Sequence, residues 1–167
     1  QGLVSFWGIT NIQTFLSSGL TNLFNTIGSP FTSGVLFISM IHVFWFFGMH
    51  GSNILEPVAQ SIFVPALTTN QLLIGSGQAP TEIFTKTFFD TFVLMGGCGS
   101  TICLIFALLL AGKQKNQQRL AKISSLFVFF NINELIVFGI PIVLNPVYII
   151  PFIGVPILLT LSSYFAM

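Results

Sequence analysis

The sequence predicts an all-α integral membrane fold, built from transmembrane helices, re-entrant helical hairpins and half-helices broken by glycine and proline. Three observations predict it. Charged side chains make up 5% of the 167 residues, against about 25% in soluble domains. Hydrophobic residues make up 53%, Phe alone occurs 20 times, and mean hydropathy is +0.92, so too few polar groups are present to coat a soluble fold. The apolar runs are long, and they lack the alternating segments of a membrane β-barrel. The whole chain, 1–167, reads as one membrane domain. The net charge of +1 says nothing about nucleic acid, and without a basic stripe and interleaved aromatics no nucleic-acid partner is expected. The opening "QGLVSFWGITN" lacks the positive n-region of a signal peptide. With the equally abrupt close, "SSYFAM", it predicts a piece of a longer protein.

Residues 1–30 mix polar and apolar side chains and end in a Ser-Pro breaker, which predicts a membrane helix end or interfacial helix leading into a turn. Phe31–Gly48 is a strong apolar run, followed by Gly48 and Gly51 around His50, which permit a chain reversal. The next run, Ile54–Ile74, carries Pro57 and Pro65 and is not expected to form one clean span. Polar Gly75–Thr87 belongs at a water-facing surface. Phe88–Gly112 then amounts to about 37 Å of helix, a tilted span, with the small-residue patch "GGCGST" allowing close approach. The stretch 113–122, "KQKNQQRLAK", reads as a loop. It holds four of the five basic residues and no acid, so the positive-inside rule places it in the cytoplasm. Ile123–Phe130 and Leu135–Leu144 flank "NINE", and neither is long enough to cross a hydrocarbon core of about 30 Å. Gly139, Pro141 and Asn145-Pro146 favour a re-entrant hairpin with a polar tip. Val147–Met167 reads as a further span.

Against this background a few polar residues need a reason. Glu134 is the strongest case, because an ionised carboxylate in a membrane segment usually faces a bundle interior or an aqueous cavity. A helix-break cap would serve as well with glutamine. Asn131 is balanced between capping and function, and Asn133 adds amide groups beside Glu134. His50 is flanked by glycines and followed by Asn53, which points to function. His42 lacks that setting and reads as a buried histidine donating to a backbone carbonyl. Trp45 reads as part of an interfacial belt, although a ring beside a cavity would instead stack on the apolar face of a sugar. Glu56 is expected to cap or pair, and Glu82, Lys86 and Asp90 to be served by salt bridges and solvent. Cys98 and Cys103 read as small buried hydrophobes within a helix. With no histidine nearby they form no metal site, and no cofactor is expected. A carboxylate, an imidazole and amides around a cavity suit a neutral, hydroxyl-rich solute. They also suit a cation pathway, and the residues by themselves leave that fork open.

Three blocks in order, "WFFGMHGSN" at 45–53, "FFDTFVLMGGCGST" at 88–101 and "FNINELIVFGIPIVLNPVYIIPFI" at 130–153, resemble one family. The pattern W-F-F-G-x-H-G, then D-x-F-x-x-x-G-G-x-G-x-T, then F-N-I-N-E-P-I-x-F-G-x-P-I-V-x-N-P is similar to the membrane component, enzyme IIC, of the bacterial phosphoenolpyruvate-dependent sugar phosphotransferase system, in its lactose, cellobiose and diacetylchitobiose branch. The resemblance covers about 31–160. Two positions depart from the pattern: Leu135 stands where proline is usual, and Cys98 where serine is common.

The resemblance implies a permease of the bacterial cytoplasmic membrane that takes up a β-linked disaccharide. The sugar's C6 hydroxyl would be presented for phosphorylation by a phosphocysteine of a cytosolic IIB partner. His50 and Glu134 would be catalytic and sugar-binding, with Trp45 as a stacking surface and Asn133 as a hydrogen-bonding neighbour; Asn53, from its place just after His50, is a further expected sugar contact. The piece would be the substrate-binding half, with the dimer-forming half outside it. An ion-coupled transporter or channel, using Glu134 as a titratable or cation site, is the alternative. A purely structural subunit would need neither the charge nor the imidazole.

Overall fold

The structure, a computed structural model, describes residues 12–167, with side chains from residue 18. Every regular element among them is helical. The chain runs through α1 (Ile12–Ile27), α2 (Pro30–Phe46), α3 (Gly51–Val58), a π-helical segment (Ala59–Phe63) and α4 (Val64–Gly75). A short α5 (Lys86–Phe88) leads into a second π-helical segment (Phe89–Val93). Then come α6 (Thr101–Ala111), α7 (Lys115–Phe129), α8 (Glu134–Gly139) and α9 (Pro146–Ala166). The part of the 1–30 reading that falls on 1–11 lies outside the described residues. The rest is α1 and a turn into Ser29-Pro30.

Helix α2 begins as its sequence dictates. Ser29 Oγ accepts the Thr32 N–H and Pro30 takes the first helical position, where its missing N–H costs nothing. It ends at Gly48, whose φ of +80° only glycine adopts freely. Gly48 N–H then donates to Trp45 O and Met49 N–H to Phe44 O, both at 2.9 Å. Two residues on, α3 starts pressed against α2, and a Cβ at Gly51 would overlap the Ile41 carbonyl. Pro57 and Pro65 do not end the helical path from Gly51 to Gly75. The wider π-helical turn between them lets the chain pass Pro65, whose ring would crowd the carbonyl four residues back in a regular helix.

The two π-helical segments meet in the core. Phe63 and Phe89 pack edge-to-face at 4.9 Å between centroids, and Phe37 of α2 lies 4.8 Å and 5.2 Å from them. Phe24 and Phe84 close this buried aromatic cluster. Helix α9 lies along α2, turning Phe152, Pro156 and Thr160 inward at four-residue spacing and most of its other side chains outward. It is 21 residues long, about 31 Å, and remains continuous through Pro151 and Pro156. Among the described residues it is the one helix long and apolar enough to cross a membrane, and α2 and α6 are shorter apolar helices.

Three expectations change. Phe88–Gly112 is not one span. The helix stops after Val93, and the chain crosses a loop in which Gly96, Gly97, Gly99 and Ser100 all have positive φ before α6 starts at Thr101. Three glycines within four residues supply left-handed backbone that a helix cannot use. The basic stretch 113–122 is mostly helix, since α7 runs unbroken from Lys115 through the basic half into the apolar half. Only Lys113 and Gln114 are left as a linker, because nothing between 115 and 129 is glycine or proline. The arm after "NINE" is shorter than the expected ten residues: α8 ends at Gly139, before Pro141. Helices α7 and α8 pack against each other, and a Cβ at Gly139 would strike the Leu120 side chain of α7.

Gly51→Ala is expected to cost about 1–3 kcal/mol, read as a lower thermal unfolding midpoint in detergent. Gly75→Ala is the control, with no atom within 4 Å of the added methyl, and its midpoint should stay level or rise.

Candidate functional site

The site begins with two irregular turns that satisfy each other. The "NINE" turn, 130–133, leaves α7 with Asn131 at φ +62°. Its Oδ1 accepts the Gly96 N–H at 2.8 Å. Two residues later, Asn133 Nδ2 donates to the Cys98 carbonyl at 2.7 Å. The fit needs glycine: a Cβ at Gly97 would lie 2.6 Å from the Asn133 amide carbon. Ser100 Oγ donates to Val93 O, and Thr101 Oγ1 donates to Gly96 O, completing the loop's internal bonds. Asn131 therefore does cap a free backbone N–H, but in a helix break 35 residues earlier.

With Asn133 fixed inward and 3% exposed, the next residue is thrown outward. Glu134 opens α8 with its side chain 47% exposed. Its carboxylate accepts no hydrogen bond among the described residues, so it is not the backbone cap that would have explained it structurally. Its polar neighbour is His50, whose Nε2 lies 3.9 Å from Glu134 Oε1, with a side chain 45% exposed. His50 itself is the N-cap of α3, its Nδ1 accepting the Asn53 N–H at 3.3 Å. A neutral imidazole accepting at Nδ1 carries its hydrogen on Nε2. The pair is thus a donor facing an acceptor across a gap too long for a direct hydrogen bond.

Trp45 sits beneath this pair. It is 3% exposed, which overturns the interfacial-belt reading. Burial follows from its place on the inward face of α2's last turn, and its ring lies 4.6 Å from that of His50. Its indole N–H has no oxygen or nitrogen acceptor among the described residues, and the Cys98 thiol is the polar group beside it. Cys98 lies in the glycine loop rather than in a helix, with Sγ 3.3 Å from Ser52 Oγ. Cys103 lies on an exposed face of α6, so only one of the two thiols is buried. Asn53 is exposed on the first turn of α3, three residues from His50.

Beside Glu134 is an open cleft of about 660 Å³, lined by Phe127, Ile132, Leu135, Phe138 and Gly139. Its size is within the about 300–1,000 Å³ usual for small-ligand clefts. Phe138 is the exposed aromatic here, at 57%, with its ring 6.4 Å from Trp45. Sequence reasoning missed it, though its spacing of four from Glu134 puts both on one face of α8. His42, by contrast, is where it was expected: buried, with Nδ1 2.7 Å from Ile38 O. Lys86 and Asp90 pair at 2.7 Å, and Gln60 donates to Glu56 at 2.7 Å.

The two asparagine bonds run in opposite directions, and this separates their variants. Asn131→Asp keeps an acceptor for Gly96 N–H and should unfold close to wild type. Asn133→Asp places a carboxylate against the Cys98 carbonyl and should lose about 1–3 kcal/mol of stability. Thermal unfolding of the two proteins in one detergent checks the difference, and equal midpoints would contradict this assignment of donors.

The profile of the family described as "Phosphotransferase system, EIIC" matches residues 2–156. The "Lichenan permease IIC component" of Bacillus subtilis (strain 168) is 37% identical over 123 residues, 74% of this chain and 27% of that protein. The "PTS system lactose-specific EIICB component" of Staphylococcus haemolyticus (strain JCSC1435) is 36% identical over 152 residues, 87% of this chain and 26% of that protein. Among solved structures, the transporter ChbC, the IIC component from the N,N'-diacetylchitobiose-specific phosphotransferase system, superposes with a TM-score of 0.80 at 37% identity. The match covers 87% of this chain and 34% of that one. The chain thus spans about a quarter to a third of the length of these relatives. With the family profile covering nearly all of it and the fold shared, the chain belongs to the EIIC family of the phosphotransferase system, in the branch of the lactose, cellobiose and diacetylchitobiose permeases.

Proposed function

We propose that this chain is the substrate-binding half of a phosphotransferase-system permease in the bacterial cytoplasmic membrane. It binds a β-linked disaccharide and holds the sugar's C6 hydroxyl for phosphorylation by the phosphocysteine of a cytosolic IIB partner. The relatives are named for lichenan, lactose, cellobiose and N,N'-diacetylchitobiose, which points to that sugar class. The dimer contacts would lie in the other half of the longer protein.

The observation that carries the reading is the gap between His50 and Glu134. A hydroxyl seated there accepts from His50 Nε2–H and donates to the Glu134 carboxylate, using both of its hydrogen-bonding capacities. A bare cation would meet the carboxylate but also an N–H donor aimed at it, and Nδ1 is already engaged by Asn53. Phe138 offers its exposed face to the apolar side of a sugar ring, and Asn53 adds a polar rim. Trp45 supports the imidazole from below instead of touching the sugar. Asn133 positions Glu134 through the glycine loop.

In the transfer step the C6 oxygen attacks the phosphorus, the P–S bond breaks, and the cysteine leaves as thiolate on IIB. The hydroxyl proton passes to Glu134. Neutral His50 holds its own proton on Nε2, so Glu134 is the acceptor and His50 the orienting donor. Folded-back hairpins such as α7–α8 are tolerated at membrane depth where they line a cavity, which fits the turn at 130–133.

Replacing Glu134 by Ala should weaken disaccharide binding about 10–100-fold, the loss of a hydrogen bond to a charged group. Glu134→Gln should bind within about tenfold and lose about 10²–10⁴ in phosphoryl transfer from phosphorylated IIB. Binding titrations of the full polypeptide in nanodiscs, with a single-turnover transfer assay, read both. Full transfer by Glu134→Gln would remove the base role. Unchanged binding by Glu134→Ala would favour the ion-coupled alternative.

The thiols of this chain carry no phosphoryl group in this scheme. A Cys98→Ser, Cys103→Ser variant should transfer at the wild-type rate, since serine keeps a small polar side chain at both positions. Loss of transfer in that variant would assign a thiol of this chain to the chemistry.

A further inference from the structure

The basic residues of α7 have no role in the scheme above. Lys115, Arg119 and Lys122 follow one another at spacings of four and three, on a single face of the helix. With Gln118 and Leu109 of α6 they line a cleft of about 510 Å³ at the elbow between α6 and α7. Gln118 Nε2 donates to the Gly112 carbonyl at 2.8 Å, which fixes the cleft's floor. The charge is uncompensated. The sequence has four acidic residues: Glu56, Glu82, Asp90 and Glu134. None lines the cleft, and Asp90 is already paired with Lys86.

The same face changes character along its length. After Lys122 it continues through Leu126 and Phe129, both exposed. Across the elbow, Leu110 is 85% exposed and Phe106 is also bare. The opposite face of α7, Ala121, Ser124 and Val128, is the one buried in the protein. Cations that give way to apolar side chains along one outward face match a lipid with an anionic headgroup and acyl chains. A folded acidic protein would answer the cations but not the apolar continuation.

We propose that this cleft binds an anionic phospholipid, its headgroup phosphate held by Lys115, Arg119 and Lys122 and its chains along Leu126, Phe129 and Leu110. The proposal rests on the membrane reading above, and it fixes the basic half of α7 at the headgroup level of the cytoplasmic leaflet.

The full polypeptide, delipidated in detergent and offered phosphatidylglycerol and phosphatidylcholine in equal amounts, is read by native mass spectrometry. Phosphatidylglycerol should be retained preferentially. The triple variant Lys115→Gln, Arg119→Gln, Lys122→Gln should lose that preference by on the order of 100-fold, and Arg119→Gln alone by about fivefold. Lys113→Gln, outside the cleft, should retain it. Sugar binding should be unchanged in all three variants, and absence of sugar binding with the lipid preference intact would sink the permease reading alone. Equal retention of the two lipids by wild type, or an undiminished preference in the triple variant, overturns the lipid site. So does a triple variant that retains phosphatidylglycerol but no longer supports phosphoryl transfer from IIB to the sugar, since the face would then serve an acidic protein surface.

Discussion

Two hydrogen bonds between turns that are distant in sequence set the geometry on which the rest of the site depends. The turn at 130–133 and the loop at 94–100 both break out of helices, and each leaves backbone groups without helical partners. In an apolar surround such groups cost too much to leave unpaired. Asn131 supplies an acceptor to one loop group and Asn133 a donor to another. Each irregular segment thus partners backbone groups of the other. The glycines are part of the same constraint, because the loop needs left-handed backbone and has no space for a Cβ where Asn133 enters.

From this clamp the placement of the ionisable pair follows. Asn133 spends its side chain inward on Cys98, so it caps α8 with backbone alone, and Glu134 emerges at the helix start facing the cleft. On the other side, α2 must end and reverse within four residues, through Gly48 and onto Gly51. His50 lies between them, directly before Gly51, and capping α3 orients its ring. The segment between α8 and α9 returns to the same corner, where Leu144 N–H donates to Phe46 O at 3.0 Å. Each half of the pair is therefore set by a helix terminus, with Trp45 buried behind it.

Much of this was legible from residue chemistry. The membrane class followed from charge scarcity. The reversal at Gly48–Gly51, the break at "NINE" and the final span were marked by glycine, proline and polar residues in apolar surroundings. His50 and Glu134 stood out because an imidazole between glycines and a carboxylate in apolar surroundings each need a reason. Other features were hidden for physical reasons. "GGCGST" read as a small-residue helix patch, because small residues serve both close helix packing and left-handed turns, and only the partner decides. That partner is Asn133, which is why its burial was not foreseen. The basic stretch read as a loop because charge marks solvent contact, and solvent contact is equally compatible with an exposed helix. Trp45 carried the signature of a belt residue, but the turn phase of α2 points it inward, and Phe138 occupies the exposed aromatic position instead. At Leu135, where the family pattern has proline, the turn before α8 is held by the asparagine bonds instead.

The pairing of an imidazole donor with a carboxylate acceptor also bears on which chemistry the site can support. A cation site gains from several oxygens converging on one point, and here one carboxylate faces an N–H. A phosphoryl acceptor needs its hydroxyl held in line and its proton removed as the bond forms. In the proposed transfer, one fixed donor and one free acceptor 3.9 Å apart would orient the hydroxyl and take its proton. The donor is fixed because the Asn53 backbone holds the far side of the ring, and the acceptor is free because the Asn133 side chain has taken over the structural work at that turn. Removing either support would leave the two side chains present but their roles unassigned, so the backbone around the pair is as much a part of the site as the pair itself.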